Sequence, residues 1–272
     1  MFTLENDQLS IDILDPVADQ ERMGARYCTG GYIFQITDRD RGPLLTGPTY
    51  PDSFNVFDGQ GIPDAFNHLS VEDTTGEAQQ TLIIGVGQYS TSEKTIEAFC
   101  NWDIEQVSGA MFFQTAQTFH DISLRLERKL HLSGRTLLST TRLKNEGSSK
   151  IPVRWYPHPF YPQPNSDELC RFNIDVQFPN NDGYEFAPSG FVARKDWPNW
   201  QEGHYQVLDH NAKTNLVVFQ KHPIVGLVAA TCSYVPGFFP IWGNSNTFSW
   251  EPYFEQEVGL AESAEWFIAY EF

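Results

Sequence analysis

The feature that most limits how this chain can fold is a regular alternation of apolar and polar residues from position 122 to position 132. The apolar members that define the alternation are Ile122, Leu124, Leu126, Leu130 and Leu132. Because successive side chains of a β-strand point to opposite faces of a sheet, this pattern predicts a strand with one buried face. A turn at Ser133-Gly134-Arg135 leads into a second run from Thr136 to Leu143, so we predict two neighbouring strands of a meander.

Similar runs occur along the whole chain, and none shows the extended 3.6-residue periodicity of a long helix. They span Gly31 to Asp38, Gln80 to Val86, Phe172 to Phe178, Asn215 to Gln220, Ile224 to Cys232 and Glu265 to Phe272. The 20 glycines and 17 prolines are spread among these runs and do not form a linker. We therefore predict an all-β antiparallel sandwich that forms one domain over residues 1–272, with irregular loops at Asp58 to Asn67 and Asn180 to Gln201.

The charge balance limits the choice of partners. Eighteen basic residues against 35 acidic residues give a formal net charge of −17, which repels phosphate backbones and anionic lipid surfaces. We therefore expect neither a nucleic acid nor a membrane as a partner. The N-terminus lacks the basic and apolar regions of a signal peptide, which predicts a cytoplasmic protein. The four cysteines are far apart in the sequence, so we interpret them as reduced thiols in the core.

His158 is a candidate for proton transfer because it stands alone among aromatic residues in the segment from Trp155 to Tyr161. Proline fixes the backbone φ angle and lacks an amide donor, so Pro157 and Pro159 predict a stiff segment outside a central β-ladder. The alternative interpretation is a structural histidine that packs among aromatic rings at the edge of a strand.

Glu251 is the matching carboxylate candidate, since it follows the run Phe248-Ser249-Trp250 and precedes Pro252. Burying an unpaired carboxylate is costly, so such a residue is hydrogen-bonded, protonated or functional. The alternative is a glutamate that points to water at the end of a strand. A histidine with an ordinary pKa of ~6.5 and a glutamate at ~4.3 can hold opposite protonation states near neutrality. The two residues therefore suggest an acid and a base that face one sugar.

Three further polar residues are weaker candidates for binding hydroxyl groups. Asp64 and His68 lie in the segment from Gly59 to His68, whose short polar side chains offer hydrogen-bond donors and acceptors. A surface turn explains the same segment equally well. Arg26 precedes the pair Gly30-Gly31 that opens a strand, and the alternative for it is a solvated surface arginine. The sequence contains no zinc-ligand spacing, phosphate loop or dinucleotide motif, so we expect no metal site.

The order of four motifs resembles the aldose 1-epimerase (galactose mutarotase-like) superfamily, in the branch near glucose-6-phosphate 1-epimerases and bacterial mutarotase-like proteins. The motifs are Gly30 to Ile33, Gly61 to Phe66, Asn145 to Phe160 and Glu251 to Tyr253. Each motif is short, and the specificity of the resemblance lies in their order over nearly the whole chain. The resemblance implies a large antiparallel β supersandwich that binds a sugar on a concave sheet face.

The resemblance also implies a reaction. Members of the superfamily use a histidine as the acid and a glutamate as the base, which correspond by position to His158 and Glu251. These residues would interconvert the α and β anomers of a hexose by opening and closing its ring, without a metal or redox cofactor. An isomerase of this kind should show a bell-shaped dependence of kcat/KM on pH. The alternative is a carbohydrate-binding protein on the same fold that does not catalyse a reaction.

Two departures from the family pattern bear on activity and substrate. Mutarotases commonly carry a second histidine in a His-Gly context, and its absence here favours the binding protein. The sugar-phosphate branch tends to have an arginine where this chain has Gln60. Together with the net charge of −17, this argues against a phosphorylated substrate, although Arg26, Arg154 and Lys195 could supply positive charge locally, and the sequence does not fix which sugar is used.

Overall fold

The computed structural model describes residues 1–47, 56–70 and 80–272. Nearly all of the regular structure in these ranges is β, which confirms the predicted fold class. The only helix among the described residues is α1 (Gln20–Met23), a single turn. No helix in this part of the chain is long and apolar enough to cross a membrane.

The described residues form 27 strands. In chain order the first fourteen are β1 (Phe2–Glu5), β2 (Leu9–Ile13), β3 (Ile33–Asp38), β4 (Gly42–Pro43), β5 (Asp64–Phe66), β6 (His68–Ser70), β7 (Gln80–Ile83), β8 (Gly87–Ser90), β9 (Thr95–Phe99), β10 (Asp103–Val107), β11 (Ala110–Phe119), β12 (Ile122–Ser133), β13 (Thr136–Asn145) and β14 (Ile151–Pro157). The remaining strands are β15 (Tyr161–Pro162), β16 (Glu168–Phe172), β17 (Val176–Gln177), β18 (Tyr184–Phe186), β19 (Val192–Arg194), β20 (His204–Val207), β21 (Asp209–His210), β22 (Val217–His222), β23 (Gly226–Cys232), β24 (Pro240–Gly243), β25 (Thr247–Trp250), β26 (Phe254–Val258) and β27 (Ser263–Glu271).

A ten-stranded antiparallel sheet forms the largest layer, in the order β10-β11-β12-β13-β27-β23-β22-β16-β19-β18. The predicted meander forms its third and fourth strands, where β12 pairs with β13 from Leu124–Asn145 to Ser133–Thr136. Gly134 in the connecting turn has φ +56°, a conformation that glycine adopts without strain. Every second residue of β12 is buried, so the alternation in the sequence corresponds to one core-facing side of this strand.

Two smaller sheets pack against the buried face of β27 in this large sheet: the three-stranded sheet β26-β14-β5 and the four-stranded sheet β15-β25-β24-β20. Aromatic side chains fill the space between the layers. Trp266 on β27 stacks on Phe254 with ring centroids 4.2 Å apart and contacts Trp155 at 5.5 Å. Trp250 on β25 lies against Tyr270 of β27 at 6.3 Å.

A buried ion pair also connects the layers. Arg128 occupies a core-facing position of β12, and its guanidinium donates a hydrogen bond to the carboxylate of Asp64 on β5. Their side chains are only 1% and 5% exposed, respectively. Each charge compensates the other in a region where an unpaired charge would be strongly destabilising. The pair therefore fixes β5 against β12 of the large sheet.

Three predicted segments differ from the structure by more than a shift of a strand end. The stretch from Asn180 to Gln201, predicted to be irregular, contains the short strands β18 and β19, and the loop at Asp58 to Asn67 contains β5. The run from Phe172 to Phe178, predicted as one strand, is divided between the end of β16 and the two-residue β17. Strands of two or three residues are too short to show a period of two, so the sequence pattern misses them. The four cysteines are free and buried, as predicted.

Candidate active site

Two strand pairs in one register frame the candidate site. Strand β14 pairs with β26 from Ile151–Val258 to Trp155–Phe254, and β15 pairs with β25 at Tyr161–Phe248 and Pro162–Thr247. Continuing either ladder toward the other places residues 156–160 opposite residues 249–253. All of these residues are described, and no strand pairing is formed between the two segments. Residues 158 and 251 stand opposite each other at the centre of this interruption.

Proline explains why the ladder stops. Pro157, Pro159 and Pro252 lie in the interrupted interval and have no amide hydrogen to donate. Other amides in the interval donate outward, to the segments on either side: His158 to Pro63 O at 2.8 Å, Phe160 to Gly61 O at 2.8 Å, Glu251 to Pro240 O at 2.9 Å and Tyr253 to Phe238 O at 2.8 Å. The backbones are therefore satisfied on their outer sides, and the space between them is occupied by side chains.

The side chains of His158 and Glu251 are in contact within this interval. The distance from His158 Nε2 to Glu251 Oε1 is 3.4 Å. The second ring nitrogen, Nδ1, lies 3.0 Å from the hydroxyl oxygen of Ser249. His158 and Glu251 are 4% and 5% exposed, so the pair is buried. The two groups lie side by side, which differs from the expectation that they face each other across a sugar.

Aromatic rings enclose the imidazole and the carboxylate. Phe160 stacks on the imidazole of His158 with centroids 4.2 Å apart, and Trp242 approaches it edge-on at 6.0 Å. Tyr27 and Tyr156 each lie 6.3 Å from the same ring. Tyrosines within electrostatic reach of the Glu251 carboxylate are Tyr156, Tyr184, Tyr205 and Tyr253. The alternative of an aromatic-packed histidine thus describes the surroundings correctly, but it does not account for the adjacent carboxylate.

Burial changes the proton affinities of the pair. It lowers the pKa of His158 well below its ordinary value, and the nearby positive charge of Arg26 lowers it further. Burial also raises the pKa of Glu251 to about 8, and Arg26 opposes this rise. Near neutrality the pair therefore holds one proton, which resides mainly on Glu251. This is the reverse of the assignment that the ordinary pKa values of histidine and glutamate predict.

Arg26 lies within electrostatic range of the pair and is itself held in place. Its guanidinium donates to both carboxylate oxygens of Asp58 at 3.0 Å and lies over the ring of Tyr27, 5.0 Å from the centroid. The Tyr27 hydroxyl donates to the same carboxylate at 3.1 Å. The Arg26 side chain remains 38% exposed, so it can reach both solvent and the electrostatic field of Glu251.

Comparisons with known proteins show which solved structures share this architecture. No family model matches the sequence, and no curated protein matches it. Solved structures do match over nearly the whole chain. The galactose mutarotase related enzyme from Lactobacillus acidophilus superposes with a TM-score of 0.65 at 11% identity, covering 99% of this chain and 96% of its own. A galactose mutarotase-like protein from Lactobacillus casei gives a TM-score of 0.59 at 13% identity, covering 100% and 99%.

A third match is the GalM/aldose epimerase homologue from C. elegans, with a TM-score of 0.55, 11% identity and coverage of 99% and 97%. The chain has a galactose mutarotase-like fold. At these identities the similarity establishes the fold alone, so the chemistry of the site has to be argued from its side chains. Among the described residues, no group of three or more His, Cys, Asp or Glu side chains could hold a metal ion.

The galactose mutarotase-like fold separates the five residues that the sequence singled out. His158, Glu251 and Arg26 come together, although they are distant in sequence. Asp64 does not join them, because its carboxylate is buried against Arg128 and is not available to bind a hydroxyl group. His68 lies exposed on β6, where its ring contacts Tyr89 of β8 at 6.1 Å, in a different sheet from the strands that precede His158 and Glu251.

Two residues that matter to the site were missed in the sequence. Ser249 lies in the run Phe248-Ser249-Trp250, which the sequence shows only as the segment before Glu251, and the folded chain shows that its hydroxyl reaches His158. Arg128 left a signal that could have been used. It occupies a position of β12 where the alternation otherwise places apolar residues. A charge on the buried face of a strand requires a buried partner of opposite charge.

Proposed function

We propose that this protein is an aldose 1-epimerase that interconverts the α and β anomers of a hexose. The observation that carries the proposal is the 3.4 Å contact between a buried imidazole and a buried carboxylate, on a fold shared with mutarotase-like proteins. Anomer interconversion requires one group that removes a proton and one that delivers a proton. Glu251 is the proposed base, and His158 is the proposed acid.

The side-by-side arrangement suits this reaction. The anomeric hydroxyl and the ring oxygen of a pyranose are bonded to the same carbon, so groups that serve the two oxygens have to be neighbours. Glu251 would remove the proton of the anomeric hydroxyl while His158 protonates the ring oxygen, and the bond from the anomeric carbon to the ring oxygen breaks. After rotation of the aldehyde group, the ring closes on its other face. His158 and Glu251 then recover their original protonation states.

The reactive protonation state is accessible within the pair. At neutral pH its single proton resides mainly on Glu251, because burial favours the uncharged forms of both groups. Transfer of that proton across the 3.4 Å contact gives the ionised carboxylate and the imidazolium that the reaction uses. Arg26, whose side chain is 38% exposed, would hold a sugar hydroxyl. Asp64 and His68 have no role in this proposal.

Anomer exchange of glucose and galactose, followed by NMR, tests the proposal. The wild type should accelerate exchange, and Glu251→Gln and His158→Ala should each lose about 100-fold or more, the range expected for general acid–base groups. Glu257→Gln is the matched control, because Glu257 is an exposed glutamate of β26 that pairs with Lys150. Glu251→Gln should still bind sugar in a titration.

Two outcomes would contradict the proposal. A wild type that binds a sugar yet does not accelerate exchange of any aldose would establish the carbohydrate-binding alternative. Full activity in Glu251→Gln or in His158→Ala would show that the contact between the two residues is not the catalytic centre.

A further inference from the structure

The side of the His158 ring that faces away from Glu251 has its own polar contact. The Ser249 hydroxyl oxygen lies 3.0 Å from Nδ1 of the imidazole. Ser249 is completely buried, and His158 is 4% exposed. Ser249 belongs to β25 and stands opposite Phe160 in the shared register, so the hydroxyl reaches the imidazole diagonally across the interrupted ladder. The imidazole of His158 thus contacts the Glu251 carboxylate through Nε2 and the Ser249 hydroxyl through Nδ1.

A hydroxyl group is suited to this position because its oxygen can accept a hydrogen bond from Nδ1–H. While the proton of the pair is on Glu251, Nε2 is bare and faces that carboxylic acid, so the ring proton is on Nδ1 and is donated to the hydroxyl oxygen. When Nε2 is protonated as well, Nδ1–H still donates to the same oxygen. A buried ring nitrogen without such a partner would be unfavourable in either state. A methyl group at the same place could satisfy neither state.

We infer that Ser249 is a positioning residue, which holds the His158 ring with Nε2 directed at Glu251 through both protonation states of the reaction. This role rests on the proposed epimerase function. A line of carboxylate, histidine and serine also resembles the arrangement that activates a serine nucleophile. Ser249 has no exposed surface, however, so its hydroxyl does not reach a substrate. The hydroxyl therefore acts through the imidazole.

Three variants separate the hydroxyl from the volume of the side chain. Ser249→Ala removes the hydroxyl, whereas Ser249→Thr and Ser249→Val have nearly the same shape and differ in whether a hydroxyl is present. We expect Ser249→Ala and Ser249→Val to lower kcat for anomer exchange by about 10- to 100-fold, with KM changed by less than about threefold. Ser249→Thr should recover most of the loss relative to Ser249→Val.

The protonation of the ring supplies a readout that does not depend on activity. Nitrogen-15 NMR of labelled His158 should show one dominant ring form in the wild type and in Ser249→Thr. In Ser249→Ala and Ser249→Val the two ring nitrogens should change their chemical shifts, because Nδ1 has lost its partner. The Thr–Val comparison keeps the test valid even if packing at this buried site is disturbed.

Two results would overturn the inference. One is an Ser249→Ala protein with unchanged kcat and unchanged nitrogen shifts of His158. The other is an equal loss of kcat in Ser249→Thr and Ser249→Val, since the hydroxyl would then make no difference. If the wild type does not accelerate anomer exchange at all, the proposed function fails, and the nitrogen shifts still decide whether Ser249 controls the ring.

Discussion

At the scale of single residues, burial controls which member of the His158–Glu251 pair holds the proton. Water would leave Glu251 ionised and His158 partly protonated near neutrality, whereas their buried surroundings penalise both charges. The positive charge of Arg26 lowers the pKa of Glu251, against the effect of burial, and lowers the pKa of His158, in the same direction as burial. The pair therefore keeps a single proton over a wide pH range, and its reactive form is reached by moving that proton over a short distance.

This situation predicts the shape of the pH profile. Activity requires the singly protonated pair, which loses its last proton as the pH rises through about 8, the raised pKa of Glu251. On the acid side, activity falls only when the pair takes up a second proton, on His158. This happens at a pH well below the ordinary pKa of histidine. We expect kcat/KM for anomer exchange, measured from pH 4 to pH 10, to show a broad plateau and an alkaline limb near pH 8.

The position of the alkaline limb can be moved by changing Arg26. Arg26→Gln removes the positive charge that opposes the rise in the pKa of Glu251, so the limb should move to higher pH by about half a unit to one unit. Arg39→Gln is the control, because Arg39 pairs with Glu5 at the surface. An alkaline limb at the ordinary pKa of histidine, unchanged in Arg26→Gln, would contradict the assignment of this limb to Glu251.

At the scale of strands, the site is a local interruption in an otherwise regular pairing. The β14–β26 and β15–β25 ladders hold the two segments in one register, so neither segment can slip without breaking a paired region. The prolines remove amide donors from the interval, and the outward hydrogen bonds keep it extended. The positions of His158 and Glu251 are thereby fixed by backbone pairing on both sides.

The ion pair between Arg128 and Asp64 supports the strand next to this interval. Asp64 lies opposite Pro157 in the β5–β14 ladder, so a displaced β5 would disturb the residue that precedes His158. Arg128→Leu should lower the free energy of unfolding by about 3–5 kcal/mol, because it leaves the Asp64 carboxylate buried and unpaired. Urea-induced unfolding, followed by tryptophan fluorescence, measures the change.

Arg125→Leu is the matched control for this prediction. Arg125 lies three residues earlier on β12, on the opposite face, and forms a partly exposed pair with Glu146. Its replacement should change the free energy of unfolding by less than about 1 kcal/mol. The double variant Asp64→Leu/Arg128→Leu should recover much of the loss seen in Arg128→Leu, since no lone charge remains in the core. Equal effects of Arg128→Leu and Arg125→Leu would show that the buried pair is not a structural link.

The sequence predicts those features of the fold and the site that depend on residues close together in the chain. The alternation in β12 depends on neighbouring residues, and the aromatic and proline-rich surroundings of His158 and Glu251 are visible without a structure. The sequence suggests that those two residues share a function, but it does not show that they touch, because their contact depends on the register of strands about ninety residues apart. The position of Arg128 in the alternation indicates that it has a buried partner, but the identity of that partner, Asp64, and the contact of Ser249 also depend on residues distant in sequence.

At the scale of the whole molecule, net charge and local charge have different consequences for the substrate. The chain carries a formal net charge of −17, which repels anions at distances beyond the first contacts. The three cations that the sequence offers for a phosphate are engaged by other groups. Arg26 bonds to Asp58 at 3.0 Å, Arg154 pairs with Glu255 at 2.8 Å, and Lys195 donates to Asn180 at 2.9 Å. A neutral hexose is not repelled by the net charge, and its binding does not require a cation to leave its present partner.

The salt dependence of the reaction tests this argument. For a neutral hexose, kcat/KM should change by less than about twofold between low salt and about 0.5 M NaCl, because no long-range charge interaction contributes. For the corresponding hexose 6-phosphate, kcat/KM should be lower at low salt and should rise several-fold as screening weakens the repulsion by the net charge. If kcat/KM for the phosphate falls with added salt instead, the exposed part of Arg26 and its neighbours attract the phosphate more strongly than the net charge repels it, and the preferred substrate is a phosphorylated sugar.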